Sequence, residues 1–258
     1  FLYIRMSFSM IVSLYTSRVV LEVLGVEDYG IYCVVVGVVG LLSFLNGTLS
    51  IGTSRFLTFA LGERNIEKLK RIFSTALSIH LLLAIIITLL AETVGLWFVY
   101  NKLVIALDRL DAALIVYHLS IISTLIVITQ VPYNASIISH ERMKVYAYLG
   151  IVEVLLKLGI VFLLKIGTDD KLVLYAILLL VVQILIALFY RIYCIRNFEE
   201  CKYKFILDKK IAKSMISFSG WNLIANLSLT LNSQGVIIIT NLFFGPLVVA
   251  AQTIVNQV

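Results

Sequence analysis

Residues 172–190 read LVLYAILLLVVQILIALFY, a run without a charge, closed on its two sides by Lys171 and Arg191. About 20 apolar residues of helix cross the roughly 30 Å hydrocarbon core of a bilayer, and backbone groups left unpaired there cost several kcal/mol each. A run of this length and composition therefore reads as a membrane-spanning helix. The same ruler laid along the rest of the chain predicts seven complete spans, near 4–24, 31–58, 72–99, 112–138, 145–166, 172–193 and 215–242, and an eighth opening at about 247. Composition agrees, since 61% of the 258 residues are hydrophobic, 14% are charged and the mean hydropathy is +1.03. Soluble domains run at roughly half apolar and a quarter charged. The expected fold class is an all-α polytopic membrane protein.

The connectors between these runs carry the charge. One alternating set holds Arg64, Lys68, Lys70 and Arg71, then Arg142 and Lys144, then Arg191, Arg196, Lys202, Lys204, Lys209, Lys210 and Lys213; the other holds Lys102, Arg109 and Lys171. By the positive-inside rule the first set faces the cytoplasm and places the N-terminus there too. The net charge of +6 is thus a topology signal, with no nucleic-acid footprint behind it. Segment 194–214 is the one substantial linker; its lysines and its Phe198, Tyr203, Phe205, Ile206, Leu207 and Ile211 suit either the headgroup surface or a solvated basic loop. Beyond it the pattern restarts. Shifted by 220 positions, Leu24-Gly25 falls on Phe244-Gly245 and Gly30 on Ala250, as two similar helical lobes in tandem would leave behind. The expected division is a six-helix lobe at 1–193, a basic linker at 194–214 and the first helices of a second lobe at 215–258. The chain opens on Phe1 inside an apolar run with no cleavage site, so a trimmed start without a cleaved signal peptide is expected.

Cys33, Cys194 and Cys201 form neither a disulfide framework nor a CxxC metal motif and read as packing residues. Nucleotide-binding glycine loops, HExxH and a nucleophile elbow are all missing, so the sequence points away from an enzyme and calls for no cofactor.

Charges at membrane depth cost at least about 2.5–3.5 kcal/mol on insertion scales, which singles out a few residues. Arg18 and Glu22 lie four apart in the first span, where they either neutralise one another or line a cavity able to attract phosphate. Glu153 and Lys157 repeat the spacing in the fifth span, on the face of Gly150, as an ion relay or as interhelical glue. Arg55 is placed to snorkel to the cytoplasmic interface, Glu92 and His118 sit toward outer ends, and His80 is expected to hydrogen-bond a neighbouring helix. The second span carries Gly40, Ser43, Gly47, Ser50 and Ser54 as a small-residue packing seam with Asn46 beside it. The fourth span has Ser120, Ser123, Thr124, Gln130 and Asn134 along one side and Pro132 to kink it. The seventh has Asn222, Asn226, Thr230 and Gln234, with Asn232 and Asn241 nearby. Amides and hydroxyls in such stripes serve equally a sugar-handling surface or helix-to-helix adhesion.

The stretches Leu24-Gly25-Val26-Glu27-Asp28-Tyr29-Gly30-Ile31-Tyr32, Ser43-Phe44-Leu45-Asn46 and Ser54-Arg55-Phe56-Leu57-Thr58 resemble the opening of O-antigen and polysaccharide flippases of the Wzx type, in the MATE-like MOP superfamily. Gln130-Val131-Pro132-Tyr133-Asn134-Ala135 and Phe218-Ser219-Gly220-Trp221-Asn222-Leu223 resemble that family's fourth and seventh helices. The resemblance implies two six-helix lobes around a cavity that opens alternately to each side. It also implies an undecaprenyl-diphosphate-linked oligosaccharide as cargo, in a bacterial inner membrane. The chain ends in its eighth span, so a truncated form of that fold is expected. On this reading Arg18 and then Arg55 meet the diphosphate, and Asn46, Gln130, Asn134, Asn222, Asn226 and Gln234 meet sugar. Glu22, Glu153 and Lys157 are the candidates for coupling to a proton or sodium ion. A cation-coupled multidrug exporter of the same fold is the near rival, and it needs a carboxylate in the cavity. A polytopic membrane transferase is the rival of another class, and it needs a His or Asp cluster at a loop, which no connector has.

Overall fold

A computed structural model describes residues 2–42, 44–166, 170–203 and 206–255, with the side chains of 2–5, 7, 8, 45–47, 166 and 221 outside the description. The described residues build α1 (Leu2–Leu24), α2 (Val26–Leu41), α3 (Phe44–Gly62), α4 (Ile66–Leu90), α5 (Leu96–Asn101), α6 (Leu110–Ser139), α7 (Met143–Ile166), α8 (Lys171–Asn197), α9 (Lys209–Thr230), α10 (Val236–Phe244) and α11 (Pro246–Val255). Two π-helical turns, Ala91–Gly95 and Leu231–Gly235, join α4 to α5 and α9 to α10, so each pair is one long rod. Each of the eight expected spans falls on helix among the described residues, the second of them on two helices, α2 and α3.

Two glycines set the sharpest breaks. Gly25 (φ 84°) parts α1 from α2, and Gly245 (φ 76°) parts α10 from α11, both in the left-handed region that side chains disfavour. They are the same pair that the 220-residue shift superposes. Elsewhere, side-chain caps start the rods: Asn65 accepts from the Lys68 amide, Asp170 from Leu172, and Asp208 from Lys210 and Ile211.

Contacts among the connectors define two ends of the bundle. At the basic end Lys70 meets Glu199 at 3.0 Å, His140 Nε2 meets Glu200 Oε1 at 2.6 Å, and the Thr58 hydroxyl donates to Ser139. At the opposite end Arg109 clamps Asp28 of α2 and Asp170 before α8. There too the second part of the chain seals onto the first. The Asn241 side chain accepts from the Val104 amide at 3.0 Å and donates to the Val104 carbonyl at 3.3 Å, while Gly30 lets the Pro246 backbone lie directly against α2.

α6 sits at the centre, packed against α2, α3, α4, α7 and α8. Its buried Tyr117 donates to Ala91 O at 2.7 Å, and Gly95 leaves room for that hydroxyl, which ties the first π-turn to the core. α9 packs along α3, and α10 and α11 along α2.

Several expectations need correction. The second span does not run unbroken over 31–58: α2 starts at Val26 and ends at Leu41, where Leu42 turns back to bond Val39 O, and α3 resumes at Phe44. Linker 194–214 shrinks to 198–208, because α8 continues to Asn197 and α9 begins at Lys209. Within it Phe198, Glu200 and Cys201 are buried against the bundle, and Phe198 stacks on His140 at 4.1 Å, so this part is not a fully solvated loop. Five segments, Ile66–Asn101, Leu107–Ser139, Met143–Lys165, Lys171–Asn197 and Asn222–Phe244, are each long and apolar enough to cross a membrane unaided. α2, at 16 residues, is shorter than the roughly 20 that cross a bilayer, and hydroxyls, glycines and Arg55 dilute α3. Such helices insert with the shelter of their neighbours.

Candidate functional site

Two hollows hold most of the polar chemistry. The larger, about 500 Å³, lies between α1, α2, α7, α8, the second π-turn and α11. One face of α1 contributes Ser9, Ser13, Thr16 and Ser17, at the three- and four-residue steps that align side chains along a helix. Tyr29 and Tyr32 enter from α2, Tyr175 from α8 and Gln234 from the π-turn. Lys157 lines the wall with its Nζ 2.7 Å from Glu153 Oε1, so the cation arrives already paired. The result is a hydroxyl-rich chamber of low net charge, able to hydrogen-bond a polar uncharged group. Gln234 is held there because Gly37 and Gly40 have no side chain to displace it; a Cβ on either would come within about 3.3 Å of its amide.

The second hollow, about 430 Å³, opens near the basic end between α3, α4 and α9. Arg55 stands over the Phe218 ring at 4.3 Å and the Phe59 ring at 5.8 Å, which fixes a flexible cation against two aromatic faces. Lys210 and Ser214 reach the same hollow from α9. Lys68 also lines it but is neutralised by Glu63 at 2.6 Å, whereas none of the ion pairs among the described residues includes Arg55 or Lys210. Here Gly52 gives α9 its close approach, since a Cβ would sit 2.6 Å from Ser219 Oγ.

The residues singled out by sequence are thus dispersed. Lys157 and Gln234 join the chamber and Arg55 the basic cleft. Arg18 and Glu22 are both exposed on α1, no ion pair joins them, and neither lines the chamber that Thr16 and Ser17 do, so the mutual neutralisation expected of them does not form. Gln130 and Asn134 bond one another at 3.4 Å, and Gln183 of α8 donates to Gln130 at 3.4 Å, a contact that joins two helices. Asn226 bonds the Asn222 carbonyl of its own helix at 2.9 Å. Asn46 falls in α3 with its side chain outside the described residues, and Ser43 lies outside them altogether. His80 bonds Ala76 O of its own helix at 2.8 Å, not a neighbouring one. The hydroxyl face of α1 and the tyrosines of α2 went unnoticed in the sequence, although Ser9, Ser13 and Thr16 carry a legible helical spacing.

The profile of a polysaccharide biosynthesis protein family matches residues 2–258. The chain belongs to this family. Among curated proteins none is detectably similar in sequence. Among solved structures it is similar to a multidrug-resistance MATE-family transporter of the MOP superfamily in an inward-facing conformation, with a TM-score of 0.70 and 16% identity over 99% of this chain and 60% of that one. It is also similar to a crystallised MATE protein in complex with MaD3S, with a TM-score of 0.60 and 14% identity over 98% of this chain and 64% of that one. This member of the polysaccharide biosynthesis family therefore has the MATE-like fold and spans about three fifths of the length of those structures. The family is that of a multi-pass membrane protein, in keeping with its apolar rods.

Proposed function

We propose that the chain forms the first lobe and the opening helices of the second in a transporter of a lipid-linked oligosaccharide, carried from the cytoplasmic face of a bacterial inner membrane to the outer face. The basic end is taken as cytoplasmic by the positive-inside rule. The observation that carries the reading is the cleft of Arg55 and Lys210: two cations without carboxylate partners, at the basic end, where a helix after the linker meets one before it. A diphosphate is the chemistry such a pair serves, because charge-assisted hydrogen bonds to phosphate are the strong ones. The hydroxyls and Gln234 of the chamber supply the uncharged contacts a sugar needs. Arg18, exposed on α1, stands as a further phosphate contact outside both hollows.

The rival reading, a cation-coupled drug exporter, takes support from the MATE structures. It asks for a carboxylate free to bind a proton or sodium. Glu153 is engaged by Lys157 at 2.7 Å, Glu92 faces His118 at 3.2 Å, and Glu22 lies outside the chamber.

Expression in a strain lacking its own polysaccharide flippase decides between them. Arg55→Ala and Lys210→Ala should each reduce surface polysaccharide sharply, each removing a contact whose loss weakens binding roughly ten- to a hundredfold. Lys102→Ala at the opposite end should leave it normal. Normal polysaccharide with both cleft variants, or a chain that restores drug resistance and no polysaccharide, contradicts the proposal.

A further inference from the structure

Arg191 lies six residues before the end of α8 at Asn197, roughly 9 Å from that end at about 1.5 Å per residue. The whole helix measures about 40 Å by the same rule against a hydrocarbon layer of about 30 Å, so Arg191 stands close to the headgroup boundary at the basic end. A guanidinium at that depth requires an anion or ample hydrogen bonding, and it is short of both. Nη2 donates to Thr129 Oγ1 at 2.6 Å and the guanidinium lies 5.8 Å from the centre of the Tyr133 ring, while Nε is buried with no partner. No ion pair among the described residues includes Arg191. The three acids of the nearby connector are committed elsewhere, Glu199 to Lys70, Glu200 to His140 and Asp208 to the first amides of α9.

Beside this cation lies a cavity of about 360 Å³ between α4, α6 and α8, bordered by Tyr203 of the connector. Thr129, Tyr133, Arg191 and Tyr203 supply its polar groups, and the rest of its wall is leucine and isoleucine, including Leu77 and the exposed Ile122. It shares no residue with the chamber or with the Arg55 cleft. A single uncompensated cation with hydroxyls at headgroup depth, continued by an apolar wall with an exposed rim, matches an amphipathic anion in both halves.

We propose that this cavity is a binding site for an anionic glycerophospholipid of the leaflet at the basic end. Arg191 donates to the phosphodiester, and one acyl chain runs over Leu77 and Ile122. The lipid supplies the counter-charge that the protein omits and joins α4, α6 and α8 on the flank of the bundle. The site is independent of what is transported.

The test uses the whole chain, purified in detergent, with dioleoylphosphatidylglycerol, dioleoylphosphatidylcholine or inorganic phosphate added, read as the rise in unfolding temperature and as lipid retained in native mass spectrometry. Phosphatidylglycerol should raise the unfolding temperature more than phosphatidylcholine, and inorganic phosphate should leave it unmoved. Arg191→Gln should weaken the phosphatidylglycerol effect by about tenfold in half-maximal concentration, the loss of a charge-assisted contact. Arg191→Lys should restore part of it, and Lys144→Gln, a lost cation elsewhere at the basic end, should change nothing. Ile122→Trp, which fills the cavity from its exposed rim and leaves the cation in place, should abolish the effect even if Arg191→Gln does not accumulate. Equal responses of the parent chain and both cavity variants overturn the site. An equal effect of phosphatidylcholine overturns its preference for an anionic lipid, and an equal effect of inorganic phosphate overturns the lipid as its occupant.

Discussion

Asn241 is wholly buried, and its amide acts as a short piece of backbone, accepting from and donating to Val104. Asn241→Ala should cost about 1–3 kcal/mol, since it removes both bonds and leaves a small void, and thermal unfolding in detergent measures it. An unchanged midpoint would show that α10 does not rely on this bridge. Gly30 and Gly62 make a matched pair. A methyl at Gly30 meets the Pro246 backbone, whereas one at Gly62 meets nothing within 4 Å. Gly30→Ala should therefore destabilise by about 1–3 kcal/mol through overpacking, and Gly62→Ala should be close to neutral. At this scale the sequence was a partial guide. Of the small-residue seam read along Gly40, Ser43, Gly47, Ser50 and Ser54, Gly40 does receive Gln234, together with Gly37, which that reading did not include. Charge spacing was less informative: the same four-residue interval forms an ion pair at Glu153 and Lys157 and none at Arg18 and Glu22.

Among the elements, connector 198–208 departs furthest from its sequence reading. Its lysines and aromatics suggested either a segment at the headgroup surface or a loop in solvent, but Phe198, Glu200 and Cys201 are inserted under the bundle, held by His140 through one hydrogen bond and one ring stack. A lysine count cannot reveal this, since the burial depends on partners 60 residues away. His140→Ala should cost about 2–3 kcal/mol and expose the connector to limited proteolysis, for it strands the Glu200 carboxylate. Resistance equal to the parent chain would contradict the docking. The neighbouring Lys70 hydrogen bond holds the exposed Glu199 carboxyl below its ordinary value. Its contribution is full above the unfolded carboxylate pKa of about 4.3 and fades as the pH falls through the lower folded value. Hydrogen exchange in the connector should rise on acidification through that window, and Glu199→Gln should remove this part of the pH dependence. The helices themselves were legible because period and length in lipid leave few alternatives. The break at Leu42 was not, since residues 41–44 hold neither proline nor glycine to mark it.

For the molecule as a whole, the alternation of the rods ties every functional statement together. Lysine and arginine placement yielded two ends, and the contacts group the same connectors: Lys70, His140 and Glu199 at one, Asp28, Arg109 and Asp170 at the other. The direction of transport, the phosphate chemistry of the Arg55 cleft and the leaflet of the Arg191 lipid all follow from which end faces the cytoplasm. Single cysteines placed at Lys144 and Lys202 of the basic end and at Lys102 and Lys171 of the opposite end test it directly, because native Cys33, Cys194 and Cys201 are buried. With a membrane-impermeant maleimide on intact cells, the account predicts labelling at 102 and 171 alone, and at 144 and 202 after the membrane is opened. Labelling of 144 or 202 in intact cells would contradict it.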